Sequence, residues 1–535
     1  MPLSNDIVIR NLVKAQAERN PEKLYIQQAE DGDSLSFKAL YELTNRIGHG
    51  LQSLGVEQGH TVLTMVPIRL ESIYLWLGCC NIGSIEVPVN NAYKGNMLAH
   101  IVNDSKAEIM FVDEGFLDRI LNQEVSLEYL IILVVLNSNE KRLDELRENS
   151  NLEIRSWDHF ISDTNSKETI LSESIEYRDA ACLLYTSGTT GPSKGVIWTY
   201  AQGHENASAG ASYLDGDDTF YSPFPSNHIS QKLFVYRFLE TGGKLVLRNG
   251  FSVRAFWSDI RKYNCTGSGL LGAMADFLIK QPKASDDSDN PLKAIFLVPL
   301  IKEVNEIRKR FDIKVYSFFN MTEICPVTFI SDEELSNNQS CGRLREGFDA
   351  RLVDDEDREV PTGKVGELIL RPHEPWVFMR GYWGNPEETV ETWQNLWMHT
   401  GDMFHIDEDG YYYYSDRKKD AIRRRGENIS SMEVEREILA NPKTLECAVI
   451  GIPSEYGEEE VKAVVLTMEG ESLAPEELIY FLKERMPHFM IPRFIEFVSE
   501  IPKTPTLKVQ KTTLRESGLN AVSYTHLTLP TILRV

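Results

Sequence analysis

The sequence predicts an α/β fold with a large N-terminal domain of layered sheets and helices and a small α+β C-terminal domain, and three observations carry that prediction. From Ile7 to about Asp416, short β-branched runs alternate with longer amphipathic stretches, the rhythm of buried, largely parallel strands joined by helices. A chain of 535 residues exceeds what one ordinary hydrophobic core serves. Around Ser415 to Gly426 the composition turns to D-R-K-K-D-A-I-R-R-R-G, after which new elements begin.

Taken in order, Phe37 to Leu54 carries Leu40, Leu43, Ile47, Leu51 and Leu54 at helical spacing and stops at Gly55. Thr61–Pro67 and Ser84–Val89 read as strands flanking a further helix, and Ala107–Val112 and Tyr129–Leu136 continue the alternation. The acidic stretch Ser285–Asn290 reads as a solvated loop. Past the composition change, Met432–Leu439 reads as a helix and Glu446–Ile450 as a strand, within a segment of roughly 100 residues, enough for a small domain. The expected boundaries are therefore 1–416, 417–520 and a tail, 521–535. The run A-V-S-Y-T-H-L-T-L-P-T from Ala521 resembles a translated sequencing adapter and is expected to stand outside the fold.

Eighty acidic against 56 basic residues leave a formal charge of −24, which argues against sequence-independent binding to nucleic acid or anionic lipid. An anionic ligand needs a locally positive site. The seven cysteines are scattered with no C-x-x-C spacing, which suits a reducing compartment, and Met1 to Val13 lacks the pattern of a signal peptide. A cytoplasmic protein is expected. The most apolar run, Tyr129–Leu136, falls far short of the about 20 residues a membrane helix needs, so no span is expected.

The segment with the most chemistry is Leu184 to Val196, L-Y-T-S-G-T-T-G-P-S-K-G-V. An apolar strand runs into Thr186, Ser187, Gly188, Thr189, Thr190 and Gly191, with Lys194 at the far end. Glycines let the backbone approach a ligand, hydroxyls and N–H groups donate to phosphate oxygens, and the lysine adds charge. The spacing is not that of a Walker A loop, and the plain alternative is a Ser/Thr/Gly turn.

This loop resembles the signature of the adenylate-forming superfamily, which includes acyl-CoA synthetases, peptide-synthetase adenylation domains and firefly luciferase. Further motifs follow in order. F-F-N-M-T-E, Phe318 to Glu323, is similar to the family's aromatic-Gly-x-Thr-Glu motif; the resemblance implies that Phe319 borders adenine, that Asn320, Met321 and Thr322 line the nucleotide, and that Glu323 helps hold Mg²⁺. Asn320 stands where most members have Gly, and Asn is expected to keep a left-handed turn there. Thr400-Gly401-Asp402 matches the T-G-D motif, implying ribose contacts for Asp402, and Asp416-Arg417 is similar to the motif whose arginine also reaches the ribose. Alone, these pairs read as a helix start, a turn and a surface ion pair.

Lys419 falls at the hinge position of the family, which implies that the small domain is mobile. Arg423 to Asn428, R-R-R-G-E-N, resembles the segment that serves the nucleotide and the pantetheine tunnel; Arg425 and Gly426 are assigned to coenzyme A, with a solvated Arg425 as the alternative. Pro502 to Lys511, P-K-T-P-T-L-K-V-Q-K, is similar to the motif that ends in the catalytic lysine. Lys508 has the matching spacing, Lys503 and Lys511 are its rivals, and Leu507 replaces a usual Gly. His228, in P-S-N-H-I-S-Q, lies where members have a residue gating the acyl pocket; a structural histidine is the alternative.

Together the resemblance implies an AMP-forming acyl-CoA ligase using ATP, Mg²⁺ and coenzyme A. Its catalytic groups would be Thr186, His228, Glu323 and Lys508, acting on a small carboxylic acid. The motif forms look closest to the crotonobetaine/carnitine-CoA ligase-like branch, with short to medium chain acids as the other option. A quaternary ammonium would want an aromatic cage, for which Tyr200, Phe224, Tyr236, Phe318 and Phe319 are candidates and plain core the alternative. A carrier-loading adenylation enzyme, a luciferase-like monooxygenase and a non-catalytic AMP or acyl sensor stay open, as does the oligomeric state, a homodimer among the options.

Overall fold

Strands such as Thr61–Met65 and Ile132–Leu136 are apolar on both faces, and such strands persist only where helices cover both sides of a parallel sheet. The computed structural model, which describes residues 3–123, 125–162, 164–186, 193–335, 340–418, 420, 422–424, 427–453, 459–483, 485–486, 488–504, 508–519 and 524–525, builds two sheets on that rule. The first is seven-stranded, in the order Glu153–Ser156, Ile132–Leu136, Ile109–Asp113, Thr61–Met65, Ile85–Pro88, Ala180–Thr186, Lys194–Thr199, parallel except for its last pair. The second, also seven-stranded, runs Lys314–Tyr316, Ala294–Val298, Gly267–Leu271, Thr219–Ser222, Lys244–Leu247, Leu24–Gln28, Ser34–Ser36, again with an antiparallel last pair.

Side chains alternate across the first sheet as the pleat requires: Ile109 and Phe111 enter one core, Met110 and Val112 the other. The first of these cores is shared by both sheets and is filled by helices Phe37–Ser53, Leu70–Asn81, Tyr200–Gly210 and Ile229–Thr241. Phe37–Ser53 shows why the local sequence folds this way. Ser36 caps it by accepting the Ala39 N–H at 3.2 Å, Leu40, Ile47 and Leu51 bury one stripe, and Gly55 follows at a φ of 81°.

In that shared core sits a buried ion pair. Glu86, on Ile85–Pro88, is fully buried and faces Lys232, 1% exposed, on Ile229–Thr241. The carboxylate also accepts from Thr64 Oγ1 at 2.9 Å, and the ammonium lies 3.9 Å from the centre of the Trp76 ring. Burial pushes the Glu86 carboxyl up, while Lys232 and Thr64 pull it back.

The described residues fall into two compact units: the chain up to Asp349 with Arg371–Gln394, and Ala350–Leu370 with the chain from Asn395 onward. The smaller unit holds the sheet Phe348–Val353, Gly366–Pro372, Met398–Ile406, Tyr412–Arg417 and a second sheet, Thr444–Pro453, Glu459–Thr467, Phe494–Phe497, Tyr524–Thr525. Helices Ser431–Leu439 and Pro475–Lys483 cover one face of the second sheet through Val434, Ile438, Leu478 and Leu482; Leu514 of Lys511–Glu516 packs on the other with Ala448 and Ile450. Tyr524 and Thr525 of the C-terminal tail pair with Ile495 and Phe494 at its edge. Among the described residues no helix is long and apolar enough to cross a membrane.

Lys232→Met strands a buried carboxylate and is expected to destabilise the protein by about 3–5 kcal/mol, with Glu86→Gln added in the same chain recovering part of the loss; urea unfolding followed by tryptophan fluorescence measures both. The smaller unit carries a pH dependence of its own. Burial would raise the Glu367 carboxyl, but hydrogen bonds from His399, Lys418 and the Gly401 N–H outweigh it and bring it down to about 2 from an ordinary 4.5. A depressed carboxyl stabilises fully above its unfolded value, so that contribution is lost as pH falls from about 4.5 through about 2, and Glu367→Gln removes that part of the acid transition in a pH-unfolding series.

Candidate active site

The phosphate-loop candidate lies between two antiparallel strands, Ala180–Thr186 and Lys194–Thr199, whose register sets Thr186 opposite Lys194. Ser187, Gly188, Thr189, Thr190 and Gly191 lie outside the described residues. Lys194 forms an ion pair with Glu388, and its ammonium is 5.4 Å from the centre of the Tyr382 ring. The Tyr382 hydroxyl donates to Glu323 Oε1 at 3.0 Å, so one aromatic ring links the cation of the loop to the carboxylate of the T-E motif. Burial, then Glu323, pushes that hydroxyl far above its ordinary pKa, keeping it a donor.

Neither Tyr382 nor Glu388 was singled out by the sequence reading. A signal was present in N-P-E-E: Asn385 caps helix Pro386–Thr392 by accepting the Glu388 N–H at 3.2 Å, with proline in the first turn. That helix start fixes Glu388 facing Lys194.

Helix Tyr200–Gly210 holds the F-F-N-M-T-E segment from behind. Gln202 Nε2 donates to the carbonyls of Thr322 and Ile324, both at 2.9 Å, and Asn320 Nδ2 donates to Asn206 Oδ1 at 2.8 Å. The Phe319 N–H donates to Thr328 Oγ1 at 3.1 Å, and the Met321 carbonyl accepts from the Ile324 N–H at 3.3 Å. The left-handed turn expected at Asn320 is not found; its φ is not positive, and the side-chain bond to Asn206 shapes the turn instead. Gln202 Oε1 and Asn320 Oδ1 remain as buried acceptors without a partner among the described residues. No three or more His, Cys, Asp or Glu side chains among the described residues converge on a metal position. Glu323 as a lone carboxylate fits a hard cation shared with phosphate oxygens.

His228 caps helix Ile229–Thr241, its Nδ1 accepting the Ser230 N–H at 3.2 Å. Of the candidate cage residues, Tyr200 and Tyr236 are fully buried, and the Tyr236 hydroxyl donates to the Ile7 carbonyl. Phe224 and Phe318 both pack on Phe296, with centroids 5.8 and 5.6 Å away, and Phe319 is buried beside them in sequence. All five rings are core.

In the smaller unit, Asp402 is 1% exposed and pairs with Arg417 Nε at 2.7 Å, the two facing each other across strands Met398–Ile406 and Tyr412–Arg417. Asp416 accepts from the Ser431 N–H at 2.6 Å and the Ser431 hydroxyl at 2.7 Å. Lys419, Arg425, Gly426 and Leu507 lie outside the described residues; Arg423 is in the strand Ile422–Arg424, whose partner is Glu427–Ile429. The three lysines of the C-terminal motif differ in surroundings. Lys503 pairs with Glu446 at 2.7 Å, Lys511 with Glu435 at 2.8 Å and with the Ser431 hydroxyl, whereas Lys508 is exposed, its N–H on Thr504 Oγ1 at 3.1 Å.

Residues 13–383 match the AMP-binding enzyme family and residues 433–508 the AMP-binding enzyme C-terminal domain. A crotonobetaine/carnitine–CoA ligase of Salmonella paratyphi B is 29% identical over 496 residues, covering 90% of this chain and 93% of that protein; one from Salmonella enteritidis is 30% identical over 494 residues with the same coverage. Among solved structures, the anthranilate CoA ligase AuaEII in complex with anthranoyl-AMP shares the fold at a TM-score of 0.83 and 23% identity, covering 97% of this chain and 98% of its own. ATP-bound MatB from Rhodopseudomonas palustris does so at 0.81 and 22%, covering 97% and 99%. The paired strands around Thr186 and Lys194, the Glu323 segment and the Asp402–Arg417 pair thus stand in a chain that belongs to the AMP-binding enzyme family, with the adenylate-forming fold.

Proposed function

We propose that the protein is an ATP-dependent, AMP-forming acid–thiol ligase that converts a carboxylic acid, ATP and coenzyme A into acyl-CoA, AMP and pyrophosphate through an acyl-adenylate. The observation that carries this reading is the Lys194–Tyr382–Glu323 arrangement, which sets a cation and an acceptor carboxylate around one ring at the end of the Thr186 strand. Phosphate chemistry needs that combination, because attack of a carboxylate on the α-phosphorus brings anions together and builds charge on the phosphoryl oxygens.

In the first half-reaction a carboxylate oxygen of the acid bonds to the α-phosphorus and the bond to the bridging oxygen of pyrophosphate breaks. Lys194, Thr186 and the residues Ser187 to Gly191 are assigned to the phosphates, Lys508 to the charge that develops on them, and Thr322 to the α-phosphate. Glu323 would hold a magnesium ion, which supplies charge neutralisation when bound. Phe319, Asn320 and Met321 are assigned to the adenine side of the site, and Asp402, Arg417 and Arg423 to the ribose and its neighbourhood. In the second half-reaction the thiolate sulfur of coenzyme A attacks the acyl carbonyl and AMP leaves; Arg425 and Gly426 are assigned to that substrate, with the small C-terminal domain turning about Lys419.

For the acid we propose a carnitine- or crotonobetaine-like molecule or a short to medium chain acid. The two relatives near 30% identity support the first option. His228 is assigned to the acyl side of the site, where its capping bond to Ser230 orients the ring. A cytoplasmic location fits cysteines that form no disulfide among the described residues.

Pyrophosphate release from ATP and Mg²⁺ is expected with at least one member of a panel that includes carnitine, crotonobetaine and straight-chain acids, with AMP and thioester following only when coenzyme A is present. Silence across the panel in folded, ATP-binding protein rules the ligase out. Lys508→Ala is expected to slow pyrophosphate release by about 10²–10³-fold while sparing thioester formation from supplied acyl-adenylate. Lys503→Ala leaves both steps near the parent rates, and Lys511→Ala lowers stability by uncovering buried Glu435; a Lys508 variant with full adenylation activity would remove that residue from the mechanism.

A further inference from the structure

The T-G-D segment and the entrance to the hinge meet at one carboxylate that belongs to none of the motifs, Glu367. The register between Gly366–Pro372 and Met398–Ile406 passes from Glu367↔Met403 to Ile369↔His399, so Leu368 alone stands against Thr400, Gly401 and Asp402. Those residues form a bulge, the device by which a strand re-aims a side chain, and a bulge takes backbone groups out of the ladder. Here each is caught. Thr400 Oγ1 donates to the Leu368 carbonyl at 2.7 Å, the Asp402 N–H donates to Thr400 Oγ1 at 3.1 Å, and the Lys418 N–H donates to the Gly401 carbonyl at 2.8 Å. The Gly401 N–H donates to Glu367 Oε1 at 3.0 Å, with Gly401 itself at a φ of 68°.

The second oxygen of the same carboxylate, Oε2, receives Lys418 Nζ at 2.9 Å, an ammonium that also reaches the exposed Asp355 at 3.1 Å, and His399 Nδ1 stands 3.5 Å from Oε1. Glu367 is 4% exposed, and its depressed pKa keeps it ionised at any physiological pH. One fixed anion therefore shapes the loop that aims Asp402 and tethers the residue between Arg417 and Lys419. The two tasks differ chemically: holding the Gly401 N–H needs only an acceptor, whereas tethering Lys418 needs a charge.

We propose that Glu367 is a positioning residue for the catalytic cycle, anchoring the stationary end of the hinge to the strand that carries Asp402. This rests on the assignments of Asp402 to ribose and Lys419 to the hinge made above. Because both oxygens of the carboxylate are occupied by protein donors, its effect shows in the balance between the two half-reactions and in the mobility of the chain after Arg417.

Glu367→Gln keeps the acceptor for Gly401 and removes the charge, and Lys418→Met removes the other half of the tether. Each is expected to change the ratio of adenylation rate to thioester-forming rate by about tenfold, and the double variant to change it no further than either single one, the coupling of residues in one network. Trypsin cleavage between Arg417 and Asp420 in the folded variants should accelerate by a similar factor. A merely structural role would lower both half-reactions together with stability and leave their ratio where it was, which overturns the proposal, as does unchanged cleavage. If the parent protein activates no acid yet cleavage accelerates in both variants, the tether stands and the ligase assignment falls.

Discussion

Removing Glu86 and Lys232 from water costs several kcal/mol for each ion, and only close, correctly oriented pairing offsets it. The larger unit is organised around meeting that condition. Glu86 lies on Ile85–Pro88, between the strand of Thr64 and the strand that runs to Thr186; a slip of one residue would turn it to the opposite face and leave Lys232 buried and alone. Lys232 fixes the rotation of Ile229–Thr241, whose first turn is capped by His228. A pair that contributes little net stability thereby selects a single register and a single helix setting, and the strand that feeds the phosphate loop and the helix that begins at His228 are tied to each other through it.

On this scaffold the residues assigned to the chemistry sit where the ladder ends or is interrupted. Lys194 begins the strand that returns after the loop, Glu323 follows a short strand, and Asp402 stands at a bulge. The net charge of −24 makes each local cation matter, and this chain gives Lys194 a carboxylate partner of its own, Glu388. A triphosphate bound at Lys194, as proposed, would compete with that partner, so nucleotide affinity would reflect a difference between two anions and not the full attraction of a lysine for phosphate. Tyr382 stays between Lys194 and Glu323 in either case, as a neutral donor held protonated by burial.

Periodicity made the core elements legible before any coordinates: the helix expected over Phe37 to Leu54 spans Phe37–Ser53, and the strands expected near Thr61, Ser84 and Ala107 are parallel neighbours. The motif residues were legible because their spacing is local. Glu367, Tyr382 and Glu388 were not, because each acts through a partner tens to hundreds of residues away, and an isolated Glu or Tyr in a sequence says nothing about which lysine or carboxylate it will meet. Asn320 shows a subtler limit. Its tolerance for left-handed backbone suggested one way of keeping the turn, while the fold supplied another, a side-chain hydrogen bond from Asn320 to Asn206, on a helix that no local rule connects to it.

The bonds around Asp416 and Lys418 divide into two groups with opposite consequences for a hinge at Lys419. Glu367, Gly401 and Lys418 all precede it, so their contacts survive a rotation and define the stationary end. Asp416 with Ser431, the Ser415 carbonyl with the Ser430 hydroxyl, and the Lys511 ammonium on Ser431 and Glu435 belong partly or wholly to the segment beyond it. The proposed rotation would break the bonds from Asp416 and Ser415 to the Ser430–Ser431 turn, while Lys511 would travel with its partners. Since Asp416 is buried and would lose two donors in the proposed rotation, that step would carry a barrier of its own, which favours two discrete arrangements over a continuous drift. A tight anchor on one side of the pivot and breakable hydrogen bonds across it are what a reaction in two separate half-steps requires of its framework.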